Sequence, residues 1–136
     1  MSRLKGSLDA NVIVRLLTKD IPDQYEQACQ LITSGAEFEV SDTAMIEAIY
    51  ALYEYYKTPR KLVCKAIETL LTNKNLRIST LVFQQSLKLF VKQPALSIED
   101  CYLASLASHR NALPLWTFDK KLAKQSGGLA KEVGLA

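Results

Sequence analysis

The chain is poor in the residues from which most metal and disulfide frameworks are built. It has one histidine, His109, and three cysteines, Cys29, Cys64 and Cys101, set 35 and 37 residues apart. No close Cys or His pair of the zinc-ligand kind exists, and an odd, scattered set of cysteines is not a disulfide scaffold. The cysteines read as small, reduced, buried thiols, and His109, late on a helical stretch, as a surface residue. Long apolar runs are also missing: nothing approaches the roughly 20 residues that cross a bilayer. Arg3 and Lys5 are not followed by a signal-like apolar stretch, so no membrane association and a cytoplasmic location are expected. Internal repeats, low-complexity tracts and a visible linker are absent too, which excludes the fibrous and disordered classes.

What is present is an ordinary globular composition, 49% hydrophobic and 23% charged over 136 residues. That length suits a single domain, 1–136, able to bury a core without staples. A net charge of +3 and a pI near 8.7 allow a polyanionic partner without demanding one.

Short strand-like runs alternate with longer helical ones. The first strand ends at Leu8-Asp9, and Val12, Ile13, Leu16 and Leu17 follow at the spacing of a helix with one inner face. Asp20-Ile21-Pro22 offers a cap and a first-turn proline, before a helix carrying Tyr25, Ala28, Cys29, Leu31 and Ile32 inward and stopping at Ser34-Gly35. Residues 36–40 alternate as a strand, then caps at Ser41-Asp42-Thr43 precede a helix over 44–56 with Ile46, Ile49, Leu52, Tyr53 and Tyr56 inward. Thr58-Pro59 opens a helix through Val63, Ile67, Leu70 and Leu71, and a strand over 76–79 leads to a helix over 81–91 and a break at Pro94. Ser97 starts a helix whose stripe is Leu103, Leu106 and Ala107; residues 112–118 form the last strand, ending at Asp119 and a basic turn. The tail beyond Gly127-Gly128 has no clear pattern. The alternation specifies an α/β domain, a mainly parallel sheet of four to five short strands with helices on both faces.

In such a sheet, acids at the carboxyl ends of strands sit where ligands bind. Asp9 and Asp119 hold that position, and Glu47 and Asp100 lie where the chain enters helices after a turn. Each has a plain alternative. Asp9 and Asp119 can cap the helices that follow, Asp100 can stabilise the helix started by Ser97, and Glu47 can belong to a solvated face with Tyr50, Ala51 and Glu54. Caps explain the concurrence poorly, because four acids at four strand-to-helix junctions repel unless a cation joins them. An all-oxygen set without histidine selects a hard cation, Mg²⁺ or Mn²⁺.

Leu8-Asp9-Ala10-Asn11-Val12-Ile13, Glu47, the run from Ser97 to Ala104, and Thr117-Phe118-Asp119-Lys120-Lys121-Leu122 resemble, in order and spacing, the four blocks of PIN-domain ribonucleases, most closely the VapC-type toxins of toxin-antitoxin pairs. The resemblance covers essentially the whole chain. It implies a Mg²⁺- or Mn²⁺-dependent endoribonuclease that hydrolyses phosphodiester bonds with metal-held water, using Asp9, Glu47, Asp100 and Asp119 as catalytic and metal ligands. Asn11 and Thr117 match positions that orient the acids or the water. Where the family sometimes has a further acid after the last one, this chain has Lys120 and Lys121, which bears on the number of metals held.

RNA phosphates call for cations, and Arg15, Lys120, Lys121 and Lys124 are the contacts nearest the acids, with Lys19, Lys57, Arg60 and Lys61 further candidates. Tyr50, Tyr53, Tyr55 and Tyr56 exceed what one buried stripe needs, so they either complete the core and its rim or form an interface. The resemblance implies a homodimer and a small cognate antitoxin lying across the acidic cleft. The alternative is a catalytically idle PIN-like domain that binds RNA or protein and uses its acids as caps. A haloacid-type phosphatase is disfavoured, since its nucleophile loop wants a second aspartate where Asn11 stands.

Overall fold

The structure is a computed structural model and describes residues 4–134; the ends of the expected 1–136 domain, residues 1–3 and 135–136, lie outside the described residues. The elements run β1 (Leu4–Ser7), α1 (Ala10–Thr18), α2 (Pro22–Ile32), β2 (Glu37–Glu39), α3 (Asp42–Glu54), α4 (Arg60–Leu71), β3 (Leu76–Arg77), α5 (Thr80–Lys92), α6 (Ile98–His109), β4 (Leu115–Thr117), α7 (Lys120–Gln125) and β5 (Ala130–Glu132). This is the expected α/β alternation, and every strand pairing is parallel. The five strands form one ladder of three, β1-β2-β3, and one of two, β4-β5, where the sequence suggested a single sheet. The chain divides into two compact units, residues 1–79 and 80–136. Among the described residues no helix is long and apolar enough to cross a membrane.

In the first unit, parallel pairing requires long crossovers, and the helix pairs α1–α2 and α3–α4 supply them. β1 carries Gly6 at φ +145°, where the register between Leu4 and Ser7 is irregular and an added Cβ would meet Phe38 Cδ1 at 3.9 Å. The backbone angle, not crowding, makes glycine necessary there. Gly6→Ala is therefore expected to cost about 1 kcal/mol or more, read as a lower urea midpoint; an unchanged midpoint would show that the strand tolerates a Cβ. Beyond Ser7 the ladder persists through Leu8 N donating to Glu39 O (2.9 Å), which fixes where the chain turns at Asp9.

The helices of this unit bury smaller residues than their sequences suggested. α1 buries Ile13 and Val14, while Val12, Leu16 and Leu17 are only half-buried; Val12 turns instead into a cleft shared with α2. α2 buries Ala28 alone and leaves Leu31 40% exposed. α3 starts and ends two residues earlier than expected, and buries Ala44, Met45, Ala48, Ile49 and Leu52, not Ile46, Tyr53 or Tyr56. It packs against both α1 and α4, and its alanines are what allow two neighbours to approach. α4 follows its predicted face at Val63, Ile67 and Leu70, which are buried, while Leu71 is only half-buried. Cys64 on this helix is half-buried, as is Cys29, and only Cys101 is fully buried as expected. Burial, helped by the hydrogen bond its Sγ donates to Glu68 Oε1 (3.2 Å), pushes the Cys64 pKa up to about 11, so it stays a thiol at neutral pH.

In the second unit, α5 packs along α6. α6 buries Ile98, Cys101, Ala104 and Ser105, whereas the expected stripe of Leu103, Leu106 and Ala107 is half-buried or, at Leu103, 46% exposed. Small residues at Ala104 and Ser105 permit close helix contact beside Phe83, which is fully buried and stacks on Tyr102 with ring centroids 5.4 Å apart. β4, α7 and β5 form a compact βαβ unit. β5 lies in the tail that had no readable pattern, and pairs Leu115 with Ala130, Trp116 with Lys131 and Thr117 with Glu132. The buried Ser126 Oγ accepts from Ala130 N at 2.9 Å and ties the crossover to the start of β5.

Candidate functional site

Asp9 and Asp119 each follow a parallel strand and precede a helix, as the sequence suggested, but their strands belong to different ladders. Both are helix caps. Asp9 Oδ1 accepts from Val12 N at 3.1 Å, and Asp119 Oδ1 accepts from Lys121 N at 2.8 Å and Leu122 N at 3.2 Å. Capping occupies one oxygen of each. Both side chains are exposed, and among the described residues neither has an ion-pair partner or a donor on Oδ2. The cap and ligand readings therefore do not compete for the same atom.

Asp9 opens into a cleft of about 360 Å³ between α1 and α2, lined by Asp9, Asn11, Val12, Arg15, Gln24, Gln27, Ala28 and Leu31. This brings together three of the sequence-derived candidates, Asp9, Asn11 and Arg15. Asn11 and Arg15 lie four residues apart on one face of α1, and Asp9 caps the start of that helix. Gln24 and Gln27 were missed; their three-residue spacing on α2 was the available signal, obscured because Ala28 and Leu31 suggested an inner face. Arg15, expected to meet RNA phosphate, is largely engaged within the protein. Its Nε donates to Gln24 Oε1 (2.7 Å), and its NH1 to Tyr56 OH (3.0 Å) and, at 3.5 Å, to Asp20 Oδ1.

Asp20 does not cap α2, whose N-cap Ile21 makes no side-chain cap bond. It accepts from Tyr56 OH (2.7 Å) and Thr18 Oγ1 (2.7 Å) instead. Those hydrogen bonds, Tyr56 first, with Arg15 nearby, hold the Asp20 carboxyl below the ordinary aspartate value of 3.8. A lowered native pKa adds stability that is fully present above the unfolded value and is lost as pH falls from there through the native value. Asp20→Asn should consequently flatten the acid side of the stability profile below about pH 4. Urea melts at pH 5 and pH 3 check this, and equal losses in both proteins would refute it.

A second cleft of about 340 Å³ lies at the carboxyl ends of β2 and β3, lined by Glu39, Val40, Ser41, Asp42, Arg77, Ile78 and Ser79. Of the three caps offered at 41–43, Ser41 is the one used, its Oγ accepting from Ala44 N at 3.1 Å. Asp42 accepts from Ser79 Oγ at 2.7 Å. Glu47 stands on the exposed face of α3, as the solvated-face reading allows, and does not line either cleft. Other first-unit cations are partly engaged: Lys19 lies over the Tyr25 ring at 5.1 Å and Arg60 over Tyr53 at 4.7 Å, while Lys57 and Lys61 are exposed.

In the second unit, Asp100 is half-buried in the first turn of α6, where its backbone N donates to the cap Ser97 Oγ at 3.2 Å. α6 packs against β4. Thr117 Oγ1 accepts from Asp119 N at 2.9 Å, so this hydroxyl shapes the turn that presents Asp119. Lys120, Lys121 and Lys124 follow on α7, exposed and without ion-pair partners among the described residues. Among the described residues, no three His, Cys, Asp or Glu side chains are grouped to hold a metal ion. As donors, though, the exposed carboxylates of Asp9 and Asp119, each with a free oxygen, suit a hard divalent cation.

Parallel strands followed by acids that cap the next helix define an α/β protein, a class in which strand ends are the usual place for a ligand. Comparison with protein families matches residues 7–128 to the PIN domain. The chain belongs to the PIN domain family, whose members are generally nucleases and usually need a divalent metal. A comparison with characterised proteins returned no match.

Proposed function

We propose that this PIN domain is a Mg²⁺- or Mn²⁺-dependent endoribonuclease and the toxin of a toxin-antitoxin pair, similar to the VapC-type proteins. The observation that carries the reading is the pair of strand-end aspartates whose Oδ1 atoms cap helices while Oδ2 stays free. Asp9, Glu47, Asp100 and Asp119 are the metal ligands that the resemblance to the family implies. A divalent cation held by these carboxylates would supply positive charge against the phosphodiester and a more acidic water. The chain's own residues set up the rest: the α1 cap fixes Asp9 beside Asn11, and the Thr117 hydroxyl fixes the Asp119 turn. Lys120, Lys121 and Lys124 attract the RNA backbone next to Asp119, with Arg15 positioned by Gln24.

The toxin reading brings further proposals: a small antitoxin as partner, a cytoplasmic location and a homodimer. Tyr50 and Tyr55 support the dimer, being 45% and 77% exposed and packed edge to face at 6.1 Å on one end of α3. The other two tyrosines are occupied within the unit, Tyr53 under Arg60 and Tyr56 on Asp20.

A second reading, an idle PIN-like binding domain, is favoured by the caps that Asp9 and Asp119 do form. Two measurements on the purified protein separate the readings: melting temperature with and without Mn²⁺, and cleavage of single-stranded RNA. A metal site raises the melting point by mass action, and the nuclease reading expects that rise together with Mn²⁺-dependent cleavage. No shift and no cleavage would leave the idle domain.

A further inference from the structure

β4 and β5 form a ribbon of only two strands, and its two faces differ. Ala130 is buried, and Leu115, Thr117 and Glu132 are half-buried. The alternate residues point the other way. Trp116 is 59% exposed and lies in register with the exposed Lys131. Two residues beyond Trp116, Phe118 is 80% exposed, and two beyond Lys131, Val133 is 40% exposed. Val133 N donates to Thr117 O at 2.9 Å, so the pairing extends to the level of Phe118. The chain thus exposes its only tryptophan and, two residues on, a phenylalanine, immediately before Asp119.

Two aromatic rings so far exposed are unusual on a soluble domain unless something covers them. Charge indicates what. Residues 112–134 hold four lysines, Lys120, Lys121, Lys124 and Lys131, against two acids, Asp119 and Glu132. All four lysines are exposed, and none has an ion-pair partner among the described residues. Exposed aromatic faces interleaved with unpaired cations are the pattern of a single-stranded nucleic-acid surface, where bases stack and phosphates meet lysines. A protein partner of the apolar kind would gain nothing from Lys131 paired beside Trp116.

We propose that this outer face of β4–β5 is a stacking platform for single-stranded RNA, with Trp116 and Phe118 each taking a base and Lys131 a phosphate. The inference rests on the ribonuclease reading and specifies how the substrate is held beside Asp119: an unpaired strand, since bases in a duplex have no free face. It adds Trp116, Phe118 and Lys131 as binding residues.

Because Trp116 is the sole tryptophan, its fluorescence reports on the platform directly. The full chain is titrated in EDTA, which prevents cleavage, with a mixed-sequence single-stranded oligoribonucleotide, with the same sequence as a duplex, and with inorganic polyphosphate. Saturable quenching by the single strand alone is expected. Read by anisotropy of a dye-labelled oligoribonucleotide, since the Trp116 variants carry no tryptophan, Phe118→Ala and Trp116→Ala should each weaken binding about tenfold or more with the salt slope unchanged, and Trp116→Tyr should recover most of the loss. Lys131→Ala should reduce the slope of log affinity against log salt by about 0.7. Single-stranded RNA that binds without quenching, and with equal affinity for both alanine variants, overturns the platform while the ribonuclease reading survives through its Mn²⁺-dependent cleavage. Variants that bind RNA normally but sediment as monomers, when the native chain is dimeric, overturn it in favour of a contact between copies. A native chain that neither binds nor cleaves RNA overturns both readings.

Discussion

Asp9→Asn and Asp119→Asn are each expected to reduce Mn²⁺-dependent RNA cleavage by at least about 100-fold while leaving the fold in place. Residues that merely support metal ligands change affinity or activity by about 10- to 100-fold, so loss of a charged ligand should exceed that. The asparagine variants are chosen for what they keep. Asn caps helices about as well as Asp, so the Oδ1 contacts to Val12 N, and to Lys121 N and Leu122 N, survive. Only the charge is removed. Stability should shift by no more than a few tenths of a kcal/mol, whereas Asp9→Ala, which loses the cap, should cost about 1 kcal/mol. Cleavage rates and urea midpoints on the same preparations separate the two roles. Undiminished metal-dependent cleavage by the double asparagine variant would remove these residues from the site.

That separation of roles is what the sequence could not supply. At Asp9 and Asp119, the cap and the ligand looked like rival explanations, because a sequence shows a residue and not its two oxygens. The strand-turn-helix junctions themselves were legible, since short apolar runs ending in Asp before a helical period are local features. So were Ser97 as a cap and Val63, Ile67 and Leu70 as a face, where large apolar residues recur with no competing choice. Features that depend on a neighbour were not legible. Val14 is buried on α1, a helix that packs against α3 and α2, and Asp20 serves Tyr56, which is 36 residues away, instead of the helix it precedes. β5 has one apolar residue in three, and only β4 beside it makes it a strand. The run from Ala112 to Phe118 reads as a strand, but only its place in a two-stranded ribbon with an open face leaves Trp116 and Phe118 exposed.

The α6 stripe gives the largest expected effect on stability, and it tests the same point about neighbours. Sequence periodicity favours Leu103, Leu106 and Ala107, but α6 turns Cys101, Ala104 and Ser105 inward and leaves Leu103 46% exposed. The bulk in this layer comes from α5, where Phe83 is fully buried and stacks on Tyr102. Phe83→Ala should therefore cost about 3–5 kcal/mol, combining lost transfer energy with the cavity that small α6 residues cannot fill, and some of the ring-stacking contribution. Leu103→Ala should change stability by no more than about 0.5 kcal/mol, as a surface substitution does. Urea unfolding of both variants at equal m-value gives the comparison. A Leu103→Ala loss approaching that of Phe83→Ala would mean that α6 is rotated from the face described, and that Asp100, one turn back on the same helix, is presented differently as well.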